Sequence, residues 1–123
     1  MKLVSKLVVL AFFVSLSLTV TGMACAAGDK IAYMDLGKVF DGYNKTKDMD
    51  NQLKAKGNSK EDRDAMAKTI LKDIKDATDE IGKNEGYAYI LDSRAVLFGS
   101  DANNLTDRVL KILNDQYTAT RKK

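Results

Sequence analysis

The feature that most constrains this chain is a pair of short predicted strands that are apolar on both faces. Residues 87–91 read YAYIL and residues 95–98 read AVLF, on either side of a predicted turn at 93–94. Because side chains along a strand alternate between two faces, both faces of such a sheet must be covered. The chain offers only one short amphipathic helix after these strands, at about 106–117. We therefore predict that several copies associate and close their sheets into one barrel. The alternative is a monomer whose helical hairpin folds back over the sheet.

Size and cysteine content strengthen this prediction. The predicted body, residues 29–40 and 85–117, is too small to bury an adequate core alone without a disulfide or a metal. Cys25 is the only cysteine, and the chain has no histidine. An oligomer is the remaining way to protect the sheet from water and to remove its open edges.

The first twenty-six residues have the pattern of a secretory signal peptide. Lys2 and Lys6 precede an uncharged apolar run at 7–20, and Ala24-Cys25-Ala26 follows. This order is typical of a cleaved signal, so we expect a mature single domain at 27–123 that works outside the cytoplasm. An uncleaved membrane anchor is one alternative, although the run is short for a membrane span. A lipid attached at Cys25 is another.

Between the strands lies a predicted antiparallel helical hairpin, residues 41–84. A strand at 30–34 ends at Asp35, a candidate N-cap, and apolar residues then recur at steps of three and four to about residue 56. Residues 57–59 break the helix, and a second striped helix runs from about 60 to 83 and ends near Gly86. The last helix follows, with Thr106 as its predicted N-cap. The predicted class is α+β: a small β body, an inserted helical hairpin arm and a C-terminal helix.

Composition argues against catalysis and against nucleic-acid binding. The net charge is +3, and two of those charges, Lys2 and Lys6, leave with the signal, so the mature chain is near neutral. Without histidine, and without cysteine after processing, the usual metal sites and nucleophile pairs have no ligands. The carboxylates lie beside lysines on helices, as solvated faces do. We predict a protein that is not an enzyme and has no cofactor or metal.

Four side chains on the hairpin are candidates for contact with a non-native client chain: Met49, Leu53, Met66 and Leu71. Methionine and aliphatic side chains adapt to varied apolar partners. The alternative is that they close the hairpin against itself. Both interpretations stay open for Leu53 and Met66, whereas closure of the hairpin is favoured for Leu71.

Two segments stand out together: residues 30–48, KIAYMDLGKVFDGYNKTKD, and residues 85–99, EGYAYILDSRAVLFG, continued at 105–114 by LTDRVLKILN. In this order, behind a signal peptide and around a helical hairpin, they resemble the Skp/OmpH family of periplasmic chaperones. The resemblance implies a periplasmic homotrimer with a shared β-barrel and projecting helical arms, which holds unfolded outer-membrane proteins without ATP. It also implies assembly roles for six residues: Ile31, Tyr33, Tyr89, Leu91, Val96 and Phe98.

The chain departs from that family in arm length and in charge. Family arms are much longer, with the missing length falling between about Lys56 and Asn58, and many members are strongly basic. The sequence is therefore compatible with two functions. The first is a short-armed holdase for unfolded outer-membrane proteins, with weak contact to the envelope. The second is a trimeric structural or adaptor protein of the envelope that has lost the client cavity.

Overall fold

The computed structural model describes residues 29–123, so the predicted signal peptide at 1–26 and Cys25 lie outside the described residues. Two strands and four α-helices make up this part of the chain. In chain order they are β1 Ile31–Met34, α1 Leu36–Gly42, α2 Asn44–Lys56, α3 Lys60–Glu85, β2 Tyr89–Asp92 and α4 Thr106–Arg121, with short 3-10 turns at Ser93–Ala95 and Asp101–Asn103. A mostly helical chain with a small sheet agrees with the predicted α+β class. The intersubunit barrel and the projecting arm remain predictions.

The sheet consists of β1 and β2 in parallel, with Ile31 opposite Tyr89 and Tyr33 opposite Leu91. The helices α1 to α3 form the crossover between the two strands, as a parallel pair requires. Beyond β2 the chain crosses to the other edge of β1, where the Leu105 amide donates to the Tyr33 carbonyl at 2.8 Å. Both edges of β1 are therefore occupied within one chain.

The prediction of a strand at 95–98 is wrong. Asp92 accepts a hydrogen bond from the Arg94 amide at 2.9 Å and starts the 3-10 turn Ser93–Ala95. This turn directs the chain away from the free edge of β2 and across the sheet towards β1. Residues 96–100 accordingly form an irregular segment instead of a third strand.

The helix boundaries that depend on local signals are confirmed. Asp35 accepts from the Lys38 amide at 2.9 Å, and Ser59 accepts from the Asp62 amide at 3.2 Å. Between α2 and α3, Gly57 and Asn58 both have positive φ, 101° and 54°, which turns the chain through the left-handed region. Gly86, also left-handed at φ 71°, ends α3. We call α2, this turn and α3 the hairpin.

Two helix predictions need correction. The predicted helix at 36–56 is divided at Tyr43, whose backbone is extended at φ −70° and ψ 123°. Thr106 is the first residue of α4 and does not cap it: its hydroxyl donates to Asn104 Oδ1 at 2.6 Å and accepts from the Asp35 amide at 2.9 Å. This hydroxyl therefore ties the start of α4 to the end of β1.

One apolar core joins the hairpin, α4 and the inner face of the sheet. Its buried side chains are Ala32, Met34, Val39, Tyr43, Leu53, Met66, Ile70, Ile74, Ala77, Ile81, Leu105, Val109 and Leu113. Met34, on β1, reaches Thr78 on α3, whose hydroxyl lies 3.8 Å from the Met34 sulfur. The inner face of the sheet is thus covered by helices of the same chain. Within residues 29–123, no helix is both long and apolar enough to cross a membrane.

Candidate interaction surface

The outer face of the sheet, opposite the helices, is apolar and open. Its two cross-strand pairs are Ile31 with Tyr89 and Tyr33 with Leu91. Ile31 and Leu91 are exposed, and Tyr89 is 59% exposed. Paired side chains on one face of a sheet lie next to each other, so these four form a continuous patch.

The irregular segment after β2 extends this patch. Tyr33 is held beneath it, because its hydroxyl donates to the Ser100 carbonyl at 3.3 Å and its ring lies against Gly99. A Cβ on Gly99 would stand 2.7 Å from Tyr33 Cε1, so this close approach requires glycine. Phe98, next to it, is 94% exposed, and Leu97 is fully exposed.

The structure brings the six predicted assembly residues together. Ile31, Tyr33, Leu91, Val96 and Phe98 line one open groove of about 410 Å³, and Tyr89 lies beside Ile31. Sequence reasoning missed Leu97, which also lines the groove, because alternation along a strand placed it on the opposite face. We call the six residues and Leu97 the outer apolar face.

An ion pair fixes the edge of this face. The Arg94 guanidinium donates to Asp92 through Nε at 3.0 Å and through Nη2 at 2.8 Å. The Arg94 side chain, together with its backbone amide, lowers the pKa of Asp92 to about 2. Asp92 is therefore ionised at neutral pH, and its carboxylate can hold the turn that positions residues 96–99.

The four client-contact candidates do not share one environment. Leu53 and Met66 are buried in the core near the end of the hairpin, and Met49 is partly buried against that core. Leu71 is 44% exposed on the outside of α3. It lines a second apolar groove of about 360 Å³ with Leu36 and Phe40 of α1, two residues that sequence reasoning did not select.

The base of the hairpin carries a polar cluster. The Tyr43 hydroxyl donates to Asp73 at 3.1 Å, and Lys45 Nζ donates to the same carboxylate oxygen at 2.7 Å. Burial, with the nearby Asp73 charge, raises the pKa of Tyr43 above its ordinary value. Tyr43 therefore remains a neutral donor that links the α1–α2 break to α3.

Within residues 29–123, no group of three or more Asp, Glu, His or Cys side chains is placed to hold a metal ion. The open apolar surfaces on the sheet and beside α1 are candidate sites for a partner.

Part of the chain is similar to known proteins. Residues 58–113, from the hairpin turn through the first half of α4, match the model of the OmpH-like outer membrane protein family. The chain is also 33% identical over 54 residues to "Outer membrane protein 26" of Haemophilus influenzae. That alignment covers 44% of this chain and 27% of the relative's length. The matched part of the chain is thus similar to OmpH-like proteins, and the chain spans about a quarter of the length of this curated relative.

Proposed function

We propose that this protein is a non-catalytic, ATP-independent holdase of the periplasm, which assembles as a homotrimer and binds unfolded outer-membrane proteins. The observation that carries the proposal is the outer apolar face, which remains exposed after the chain has completed its own core. The family match supports the same class of activity.

The homotrimer is proposed because the outer apolar face needs a cover. Contiguous exposed apolar surface of this kind marks an interaction site in a soluble protein. The face is built from both strands and the segment that follows them, and its Phe98 and Tyr89 rings offer large apolar areas for burial. A ring of identical copies would bury the same residues in each subunit.

Client binding is proposed for the second groove and for the sides of the hairpin. Leu71 is exposed, and Leu36 and Phe40 remain partly exposed beside it. Leu53 and Met66, in contrast, are buried in the core. Each groove is small and can supply only a weak contact. Three copies in one assembly would bind different segments of one unfolded chain at once, which raises the overall affinity without stronger single contacts.

An aggregation assay tests the holdase function. A urea-unfolded outer-membrane β-barrel protein is diluted into buffer, and its light scattering is followed with increasing amounts of the secreted protein. We expect substoichiometric trimer to suppress the scattering, and Leu71→Asp to require more protein for the same suppression. Scattering that is unchanged by excess trimer would contradict the holdase function.

A second function is favoured by the length of the hairpin and the burial near its end. Helix α2 has 13 residues, about 20 Å at 1.5 Å per residue. A cavity between arms this short would be small, and Leu53 and Met66 do not line it. The alternative is therefore a trimeric adaptor of the envelope that binds one folded partner. A pull-down from envelope extract that yields a mixture of unfolded porins would count against the adaptor.

A further inference from the structure

The second groove combines open apolar side chains with an exposed carboxylate. Leu36 and Phe40 are four residues apart on α1, so they lie on one face of that helix, and Leu71 of α3 completes the apolar part. Leu71 is 44% exposed, and Leu36 and Phe40 are only partly buried. Asp41, next to Phe40 in the chain, also lines the groove and is exposed. A partner that binds here therefore meets apolar surface and a negative charge together.

The charge of Asp41 is not balanced by a neighbouring lysine. Two lysines lie three and four positions from it, Lys38 and Lys45, and each is close to a different carboxylate. Lys38 Nζ is 3.9 Å from an Asp35 oxygen. Lys45 Nζ is 2.7 Å from an Asp73 oxygen. In the described part of the chain Asp41 accordingly forms no ion pair, and its carboxylate is available to a partner.

The basic group that lines the same groove is already paired. Arg94 makes two hydrogen bonds to the Asp92 carboxylate, at 3.0 Å and 2.8 Å, so its positive charge is largely balanced there. Asp35 also lines the groove, and its distance of 3.9 Å from Lys38 leaves its own charge only partly balanced. The charges around the groove therefore sum to a negative field, to which Asp41 contributes most.

We propose that the second groove selects segments of an unfolded chain in which an aromatic or aliphatic side chain stands next to a lysine or arginine. The apolar side chain packs on Leu36, Phe40 and Leu71, and the basic group reaches Asp41. The apolar stem of the basic side chain covers further groove surface. Charge complementarity of this kind separates one class of partner from another more than it raises affinity. The inference rests on the proposed client binding for its use.

A peptide titration followed by NMR tests this selection. The probes are flexible Gly-Ser peptides, blocked at both ends, whose single phenylalanine is flanked on both sides by lysine, by glutamine or by glutamate. Amide shifts of α1 and of Leu71 in the secreted protein report binding at this groove and not at the outer apolar face. At low salt we expect the lysine peptide to bind up to about fivefold more tightly than the glutamine peptide, and the glutamate peptide to bind most weakly. High salt should reduce the difference.

Substitutions at Asp41 should change the preference in a graded way. Asp41→Asn keeps the size of the side chain and should bring the affinities of the lysine and glutamine peptides together. Asp41→Lys should reverse the order, so that the glutamate peptide binds most tightly. Asp62→Asn is the matched control, because it makes the same change in net charge at an exposed position in the first turn of α3, and it should leave the preference unchanged. Leu71→Ala should weaken all the peptides by a similar factor.

Equal binding of the peptides, tightest binding of the glutamate peptide, or a preference that survives Asp41→Asn would overturn the selection. So would groove amides that no peptide shifts, or that shift when the protein alone is diluted, since a second copy would then occupy the groove. The aggregation assay decides the holdase function separately. A protein that suppresses scattering but binds the peptides equally keeps the holdase function and loses the selection. One that selects the lysine peptide without suppressing scattering keeps the selection and loses the holdase function.

Discussion

In the hairpin, Ile74 is 2% exposed and its apolar neighbours Ile70 and Ile81 are also buried, whereas on the outer face of the sheet Tyr89 is 59% exposed. Both regions have apolar stripes of similar quality in the sequence. The difference is that the hairpin stripe finds a partner in α4 and in the inner face of the sheet. The outer face has no such partner in the same chain. An apolar stripe therefore predicts that a surface will be buried. Whether it is buried within one chain or between chains depends on the fold.

The largest expected effect is on assembly. Leu91→Lys places a charge in the outer apolar face, and burying it without a partner in the proposed trimer would cost about 3–5 kcal/mol. We expect the mass from light scattering to fall from three copies to one, with the helical circular dichroism signal retained. Leu71→Lys, on an exposed groove of another surface, should leave the mass unchanged. A trimer that survives Leu91→Lys would remove the sheet from the proposed interface.

A substitution in the hairpin core should lower stability. Ile74→Ala leaves a cavity in the core and should lower the free energy of unfolding by about 2–5 kcal/mol, measured by urea unfolding at fixed protein concentration. Leu71→Ala, three residues earlier, also shortens an aliphatic side chain. Because Leu71 is partly exposed, the free energy of unfolding should fall much less. A similar loss in both variants would show that burial in this core does not determine stability.

Alanine substitutions at two glycines, one in the segment after β2 and one in α3, should change stability in opposite directions. Gly99→Ala would drive a methyl group against the Tyr33 ring and should cost about 1–3 kcal/mol. Gly82→Ala lies within α3, where the added Cβ would be 3.7 Å from Ile90 Cδ1, an ordinary contact. It should stabilise the protein by about 0.5–1 kcal/mol, since alanine favours a helix. Thermal unfolding of both variants gives the signs, and a stabilising Gly99→Ala would contradict the packing described.

The smallest expected effect is on stability, at a buried polar residue of the hairpin. Thr46 is buried in α2, and its hydroxyl has no hydrogen-bond partner among the described residues. Thr46→Val keeps the shape and removes the hydroxyl, so we expect stabilisation of about 1 kcal/mol in urea unfolding. Thr46→Ser keeps the hydroxyl and loses a methyl group, which should cost about 0.8 kcal/mol. If Thr46→Val lowers the free energy of unfolding, the Thr46 hydroxyl has a hydrogen-bond partner in solution.

Features that depend on neighbouring residues could be predicted from the sequence. The caps at Asp35 and Ser59 and the left-handed ends at Gly57 and Gly86 follow from side chains within three or four positions. Alternation in β1 and β2 also predicts the four residues of the outer apolar face that belong to these strands. The other three, Val96, Leu97 and Phe98, lie in a segment that was wrongly predicted as a strand.

Features that depend on distant parts of the chain could not be predicted. Tyr43 lies in a stripe of three-four spacing that predicts one continuous helix. The helix breaks there because the Asn44 amide donates to the side-chain oxygen of Asn114, on α4, at 2.8 Å. The prediction of a strand at 95–98 was wrong because alternation cannot show which sheet edges are free or where Asp92 turns the chain. The burial of Leu53 and Met66, and the exposure of Leu71, likewise depend on how α3 rotates against its neighbours.

The parallel pairing of Ile31 with Tyr89 has a consequence for synthesis and for evolution. During synthesis β1 emerges well before β2. The two strands can pair only after the whole crossover has been made, and contacts between residues so far apart in the chain form slowly. Within the crossover, α2 and α3 run in opposite directions side by side. Residues added or removed in matching amounts on both would therefore change the reach of the protein without disturbing the register of the sheet.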